Sequence, residues 1–307
     1  MASDPAGIVV ALQANYLEVE LDEVPEEGCP RRLLCTRRSR LSHRGTAVHV
    51  GDRVRIQAID PVQGRAVVSA VEPRRSWLSR PPVANVSLVV VALAVEEPVF
   101  DPDQASRFLL TAERTGLEVQ LVLTKADLMT DHAAEQLLRR LVCWGYSPLI
   151  LSCRTGQGVE MLRERLKSAE LAVLCGPSGV GKTSLLNCLV PDLRLRVGAV
   201  SGRLKRGRHT TRHVEIYPLG QSGRVVDTPG FNRPDLPENP REFSVLFPEL
   251  RRELDPWPCR FRDCLHRGEP GCGVPRDWER YGFYTSALEE LEALNHPSRG
   301  GSGSGRR

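Results

Sequence analysis

The chain has 307 residues, 41% hydrophobic and 26% charged, which excludes wholesale disorder and suits about two domains of roughly 150 residues each. Its longest near-apolar stretch, Val86–Val95, is ten residues long, half of the ~20 that a bilayer span needs. The opening MASDPAG has neither a basic nor an apolar leader region, so a cytoplasmic protein with no membrane association is expected.

In chain order, Ile8–Leu12, Tyr16–Leu21, Arg32–Thr36, Arg53–Ile59 and Ala66–Val71 are strand-sized, separated by Gly28, Gly51-Asp52 and Gln63-Gly64. Five short strands in so few residues predict a small closed barrel of the OB type. The same region concentrates cations. Residues 29–55 carry eight arginines (Arg31, Arg32, Arg37, Arg38, Arg40, Arg44, Arg53 and Arg55) against one acid, Asp52. A second excess spans residues 194–213, with seven cations and no acid. Local surpluses near +7 in a chain of net charge +4 suit phosphate backbones, so affinity for nucleic acid that falls with salt is expected.

From residue 83 the pattern becomes strand and helix in alternation. Strands are predicted over 87–94, 119–123, 149–152 and 171–175, and helices over 103–115, 131–144, 159–166 and onward from Lys182. Strands apolar throughout and separated by helices imply a mostly parallel sheet covered on both faces. Pro81-Pro82 suits a linker between this region and the barrel. After residue 235 prolines interrupt the pattern, and a helix is expected over Ser286–Asn295. Residues 297–307 have the composition of a flexible tail.

Gly176, Pro177, Ser178, Gly179, Val180, Gly181, Lys182, Thr183 and Ser184 match G-x-x-x-x-G-K-[ST] between a strand and a helix. Glycines let backbone N–H groups curl around phosphate oxygens, and the helix N-terminus adds positive potential. Lys182 would reach the β- and γ-phosphates while the Thr183 hydroxyl ligates magnesium. The chain has four lysines against 38 arginines, and one occupies this position. Asp227, at a strand end before Thr228-Pro229-Gly230, suits the magnesium-side carboxylate, and the Gly230 N–H suits the γ-phosphate. Between them lies the basic loop Gly207–His213, where Thr210 or Thr211 could close over magnesium.

Thr124, Lys125, Ala126 and Asp127 are similar to the guanine-specificity element N-K-x-D. Ser152 and Cys153 begin a stretch similar to its companion loop. A carboxylate can accept from guanine N1–H and N2–H₂, which adenine does not offer. In Ras-like GTPases both elements follow the P-loop; here they precede it, so the sheet is expected to be circularly permuted. Cys259, Cys264, His266 and Cys272 form a Cys₃His set suited to one structural zinc. The other six of the nine cysteines suit small apolar fillers.

With VGDRV (50–54), LSRPPVANV (78–86), GRHTTR (207–212), DTPGF (227–231) and CRFRDCLHRGEPGC (259–272), the chain resembles the bacterial small-ribosomal-subunit biogenesis GTPases, the RsgA family, also called YjeQ or YloQ. The resemblance implies an OB-fold RNA-binding unit over 1–78, a permuted α/β GTPase unit over 79–238 and a largely helical zinc-binding unit over 239–296. It implies GTP hydrolysis to GDP, stimulated by the small (30S) subunit and its 16S rRNA during late maturation, by a protein expected to be a monomer off the ribosome. Two departures matter. Thr124 replaces an asparagine whose amide bonds guanine and braces the P-loop, so weakened nucleotide binding is expected. Phe231 stands where Ras-like enzymes have a water-orienting glutamine, a lack shared with the family. His209 is the nearest candidate to hold the attacking water. The competing readings are a P-loop ATPase or kinase, and an RNA-binding protein with a degenerate nucleotide site.

Overall fold

A computed structural model describes residues 4–13, 16–38, 47–190, 214–220, 223–227, 237, 239–254 and 258–295. The first five strands are β1 (Ala6–Leu12), β2 (Leu17–Leu21), β3 (Arg32–Arg37), β4 (Arg53–Asp60) and β5 (Arg65–Val71). They pair in the ring β1-β2-β3-β5-β4-β1, parallel only between β3 and β5, which closes an OB-type barrel. Alternate side chains point inward, so Val19, Leu33, Cys35, Val54, Ile56 and Val68 fill the interior. Irregular register after Val9 in β1 and within β4 bends the strands enough to close the ring.

The expected linker at Pro81-Pro82 is instead the turn of a hairpin, β6 (Trp77–Ser79) and β7 (Pro82–Ala84), with Leu78 opposite Val83. Pro81 lies in the turn and Pro82, opposite Ser79, is the first residue of β7, a position where a strand tolerates proline. Val83 is fully buried in one apolar cluster with Ile8, Val10 and Val50 of the barrel side and Val89, Val91 and Val173 of the next sheet. The backbone seals the joint. Ala84 N–H donates to Val50 O at 2.9 Å, and Asn85 Nδ2 donates to Gly51 O at 2.9 Å.

That next sheet contains β8 (Leu88–Ala94), β9 (Glu118–Thr124), β10 (Leu149–Ile150), β11 (Ala172–Cys175), β12 (Glu215–Pro218) and β13 (Arg224–Asp227). Its order is β10-β9-β8-β11-β13-β12, parallel except for β12, a strand absent from the sequence-based expectation. β12 also meets β1 at Glu215 and Ala11, so barrel and sheet are continuous. Across the same seam Arg224 donates to the buried carboxylate of Glu20 at 3.0 Å. Helices α1 (Pro102–Glu113), α2 (Asp131–Cys143), α3 (Val159–Lys167) and α4 (Lys182–Leu189) cover the sheet. Asp101 caps α1 by accepting from the N–H groups of Asp103 and Gln104, and Thr130 caps α2 through Ala133 N–H.

Beyond residue 235 the prolines begin helices rather than only breaking them. α5 (Pro240–Phe243) and α6 (Pro248–Glu253) each carry proline in the first turn, where no N–H is required. α7 (Tyr281–Asn295) starts five residues before the expected Ser286, because Tyr284 belongs to its buried face. Tyr284 stacks on Phe243 at 5.5 Å, and Leu110 of α1 joins the same cluster. Arg280 lies between the rings of Trp144 and Phe247, 4.6 and 4.8 Å from their centroids, and is ion-paired to Glu249.

Gly51 is the tightest point of the barrel–hairpin joint. Its φ is +88°, and a Cβ there would stand 2.1 Å from Ala84 O. Gly51→Ala is therefore expected to lower stability by about 1–3 kcal/mol. A urea titration checks this as a reduced midpoint at unchanged slope.

Candidate functional site

The phosphate-loop motif begins where β11 ends. At Gly176 φ is +142°, and a Cβ would meet Ala92 O at 2.0 Å, so only glycine lets the loop cross β8 this closely. Val180 is buried, Ser178 and Gly179 are exposed, and Gly181 precedes α4. No side chain caps α4 and its first turn holds no acid, leaving the backbone N–H groups and helix dipole suited to an anion. Lys182 is buried at the helix start, its ammonium donating to Gly176 O at 2.8 Å and Pro177 O at 2.7 Å. Thr183 and Ser184 follow, half-buried. One strand away, Asp227 ends β13, its backbone paired with Leu174 on one side and Glu215 on the other. His209, Thr210, Thr211, Gly230 and Phe231 lie outside the described residues.

Thr124 ends β9, on the other side of β8. Its hydroxyl donates to Val180 O at 2.6 Å, with Leu93 O at 3.2 Å as a second acceptor. Lys125 follows with φ +60° and opens a single 3-10 turn, Ala126–Leu128, that carries Asp127. The Lys125 ammonium donates to Glu97 O. Ser152 is fully buried and its hydroxyl donates to Asp127 Oδ1 at 2.6 Å, while its own oxygen accepts from Thr155 N–H at 3.2 Å. The Ser152 hydrogen bond, with Arg154 at 3.7 Å, holds the Asp127 carboxyl below the usual carboxylate range. Asp127 is thus an ionised, acceptor-only group, the kind that suits paired N–H donors of a base. Burial, reinforced by the neighbouring Cys188, pushes the Cys153 thiol up to about 12, so it stays protonated.

At the other end of the chain four donors converge. The ligand atoms of Cys259, Cys264, His266 and Cys272 all lie within 4.8 Å of one another, close enough to hold a metal ion. His266 Nδ1 is 3.5 Å from Cys259 Sγ and 3.8 Å from Cys272 Sγ, and the latter two are 4.0 Å apart. Burial lowers the His266 pKa and pushes the Cys264 thiol up to about 12. The imidazole is therefore neutral, and a bound cation would have to displace the Cys264 proton. Glu269 fastens the knuckle, accepting from Leu265 N–H at 2.9 Å and Arg267 N–H at 2.7 Å. Tyr284 reaches down from α7 to donate to Leu265 O at 2.7 Å.

These features have counterparts among known proteins. The model of the RsgA GTPase family matches residues 71–237. The chain belongs to the RsgA GTPase family. It is 72% identical over 299 residues to the small ribosomal subunit biogenesis GTPase RsgA of Parasynechococcus marenigrum (strain WH8102), covering 97% of this chain and 100% of that one. The same-named protein of Synechococcus sp. (strain CC9605) is 73% identical, covering 96% and 97%. Among solved structures, YjeQ from Thermotoga maritima superposes with a TM-score of 0.78 at 31% identity, covering 94% of this chain and 98% of that one. YloQ, described as a circularly permuted GTPase, gives 0.74 at 25% identity, covering 95% and 96%. The chain is accordingly a GTPase with a permuted sheet, and the OB-type barrel and α/β class stand as expected.

The expected set is brought together at one edge of the sheet: the P-loop, the end of β13 and the Thr124 and Ser152 elements. One expectation is corrected. Thr124 does not forfeit the brace of the P-loop, because its hydroxyl donates to the Val180 carbonyl. The barrel's cations are also fewer in effect than in count. Arg32, Arg53 and Arg55 pair with carboxylates of Glu20, Asp22 and Glu72, whereas Arg31, Arg37 and Arg38 are exposed; Arg40 and Arg44 lie outside the described residues. Sequence reasoning missed Glu97 and Glu269, which act through one carbonyl and one loop turn and carry no motif of their own. Among the described residues no helix is long and apolar enough to cross a membrane.

Thr124→Val keeps shape and removes the brace. Guanine-nucleotide affinity is expected to fall about 5-fold, the net worth of roughly 1 kcal/mol for one hydrogen bond. Calorimetric titration with GDP measures it, and an unchanged Kd would show that the brace is idle.

Proposed function

We infer that this GTPase acts on the small (30S) ribosomal subunit during its late maturation, binding 16S rRNA through the barrel and hydrolysing GTP faster when docked. The observation that carries this reading is near full-length similarity to proteins named small ribosomal subunit biogenesis GTPase. The exposed Arg31, Arg37 and Arg38 on the barrel support an RNA partner. The units are 1–78, 79–238 and 239–296, with the β6–β7 hairpin as a stiff joint rather than a tether. The protein works in the cytoplasm, as a monomer off the ribosome.

Within the site, Gly176 through Ser184 cradle the phosphates and Lys182 supplies a point charge to the β- and γ-oxygens. Asp127 accepts from the guanine edge, with Ser152 holding it and Lys125, Ala126 and Cys153 framing the base. Thr183, Asp227 and Thr210 or Thr211 would hold magnesium, which would neutralise phosphate charge, and the Gly230 N–H would serve the γ-phosphate. His209 holds the attacking water when the small subunit is docked, so docking accelerates hydrolysis by positioning.

The metal of the Cys₃His cluster is zinc. Tetrahedral bonds of about 2.3 Å to sulfur and about 2.0 Å to nitrogen place ligands roughly 3.5–3.8 Å apart. The separations of 3.5, 3.8 and 4.0 Å suit that set. Four protein ligands leave no position for catalytic water, so the ion is structural.

Two measurements test this. GTP hydrolysis is expected to rise severalfold or more when small subunits are added, and Lys182→Ala to abolish both rates while the fold persists; indifference to small subunits would overturn the reading. Native mass spectrometry is expected to find one zinc per chain, lost in Cys264→Ser together with a lowered Tm.

A further inference from the structure

Asp52, the single acid among residues 29–55, is fully buried. Its carboxylate accepts from Arg74 Nε at 2.7 Å, from Arg74 Nη2 at 2.9 Å and from the His49 backbone N–H at 2.8 Å. Arg74 Nη2 also donates to Ala47 O at 2.7 Å. A guanidinium tied to a carboxylate and a carbonyl keeps its plane fixed, as a solvated surface arginine does not.

That guanidinium covers the Trp77 ring, 4.6 Å from its centroid. The His49 ring packs edge-on against the same indole at 4.7 Å and 63°. Trp77 still remains 42% exposed on β6. A single exposed tryptophan is ordinary on a protein surface. This one is clamped, backed by a cation and in contact with His49 of the acid-poor stretch 29–55. Arg37, exposed at the end of β3, lies near enough to act electrostatically on His49. Burial first, then Arg74 and Arg37, outweigh Asp52 and hold the imidazole below its usual range, so it is neutral at pH 7 and does not repel a base.

We propose that Trp77 is a stacking platform for one unpaired nucleobase of RNA, with Arg74 and His49 holding the indole and Arg37 meeting an adjacent phosphate. This rests on the RNA-binding reading of the barrel and specifies the kind of RNA it takes. A base inside a duplex has both faces covered by its neighbours, so the platform selects single strands. Every base has a π-face, so the contact tolerates sequence.

The test uses the full chain at low salt with two probes, a short single-stranded oligoadenylate and a blunt RNA duplex of similar length. Trp77→Leu is expected to weaken oligoadenylate binding about 10-fold and leave duplex binding unchanged, with Trp77→Phe restoring most of the loss. Oligoadenylate should quench tryptophan emission in the parent protein and quench it far less in Trp77→Phe. Undiminished oligoadenylate affinity in Trp77→Leu, or an equal loss on duplex, overturns the platform while the RNA-binding reading stands. If the parent protein binds neither probe nor small subunits, both fall. A melting curve matching the parent's shows that Trp77→Leu has not simply unfolded.

Discussion

Strand β8 is the constraint on which the nucleotide site depends. All seven of its residues are buried, and it is hydrogen-bonded along both edges, to β9 and to β11. Each buried valine or leucine contributes about 1.5–3 kcal/mol, so no register slip of this strand is tolerable. Its carboxyl end fixes the spacing between the loops that follow its two neighbours. The P-loop bends over Ala92 on one side, and Thr124 reaches Leu93 and Val180 from the other. The Thr124–Asp127 loop and the P-loop are thus rigidly related through a strand that has no chemistry of its own.

Chain order is then almost irrelevant to the site. The loops at 124 and 152 precede the P-loop at 176, yet parallel pairing puts all three at the carboxyl ends of their strands. What permutation changes is where the chain leaves the sheet. After β13 the next described elements are α5, α6 and α7, which pack beside the Cys₃His cluster. Arg280 ties that segment back to α6 through Glu249 and to Trp144, just beyond α2, so the cluster is mechanically fastened to a helix of the sheet.

Features encoded locally were legible in the sequence. The P-loop and the Cys₃His set are short and demand particular residue types, and β3, β4 and β5 alternate buried and wetter positions along much of their length. Elements whose residues do local and tertiary work at once were obscured. Pro81 and Pro82 look like linker residues but close a hairpin, and Pro240 and Pro248 look like breakers but start helices. Tyr284 looks like a loop aromatic until its ring is stacked on Phe243. The brace from Thr124 was not legible because a motif compares residue types, whereas the Val180 carbonyl requires only a donor at the right distance.

The cluster shared by Ile8, Val10, Val50, Val83, Val89 and Val173 has a thermodynamic consequence. Opening the barrel alone would expose the flank of the nucleotide-binding sheet, and opening the sheet alone would strip the barrel's outer wall. Each partial state exposes this shared surface without the chain entropy that complete unfolding releases, so both are disfavoured. The shared cluster therefore couples the stability of the barrel to that of the sheet.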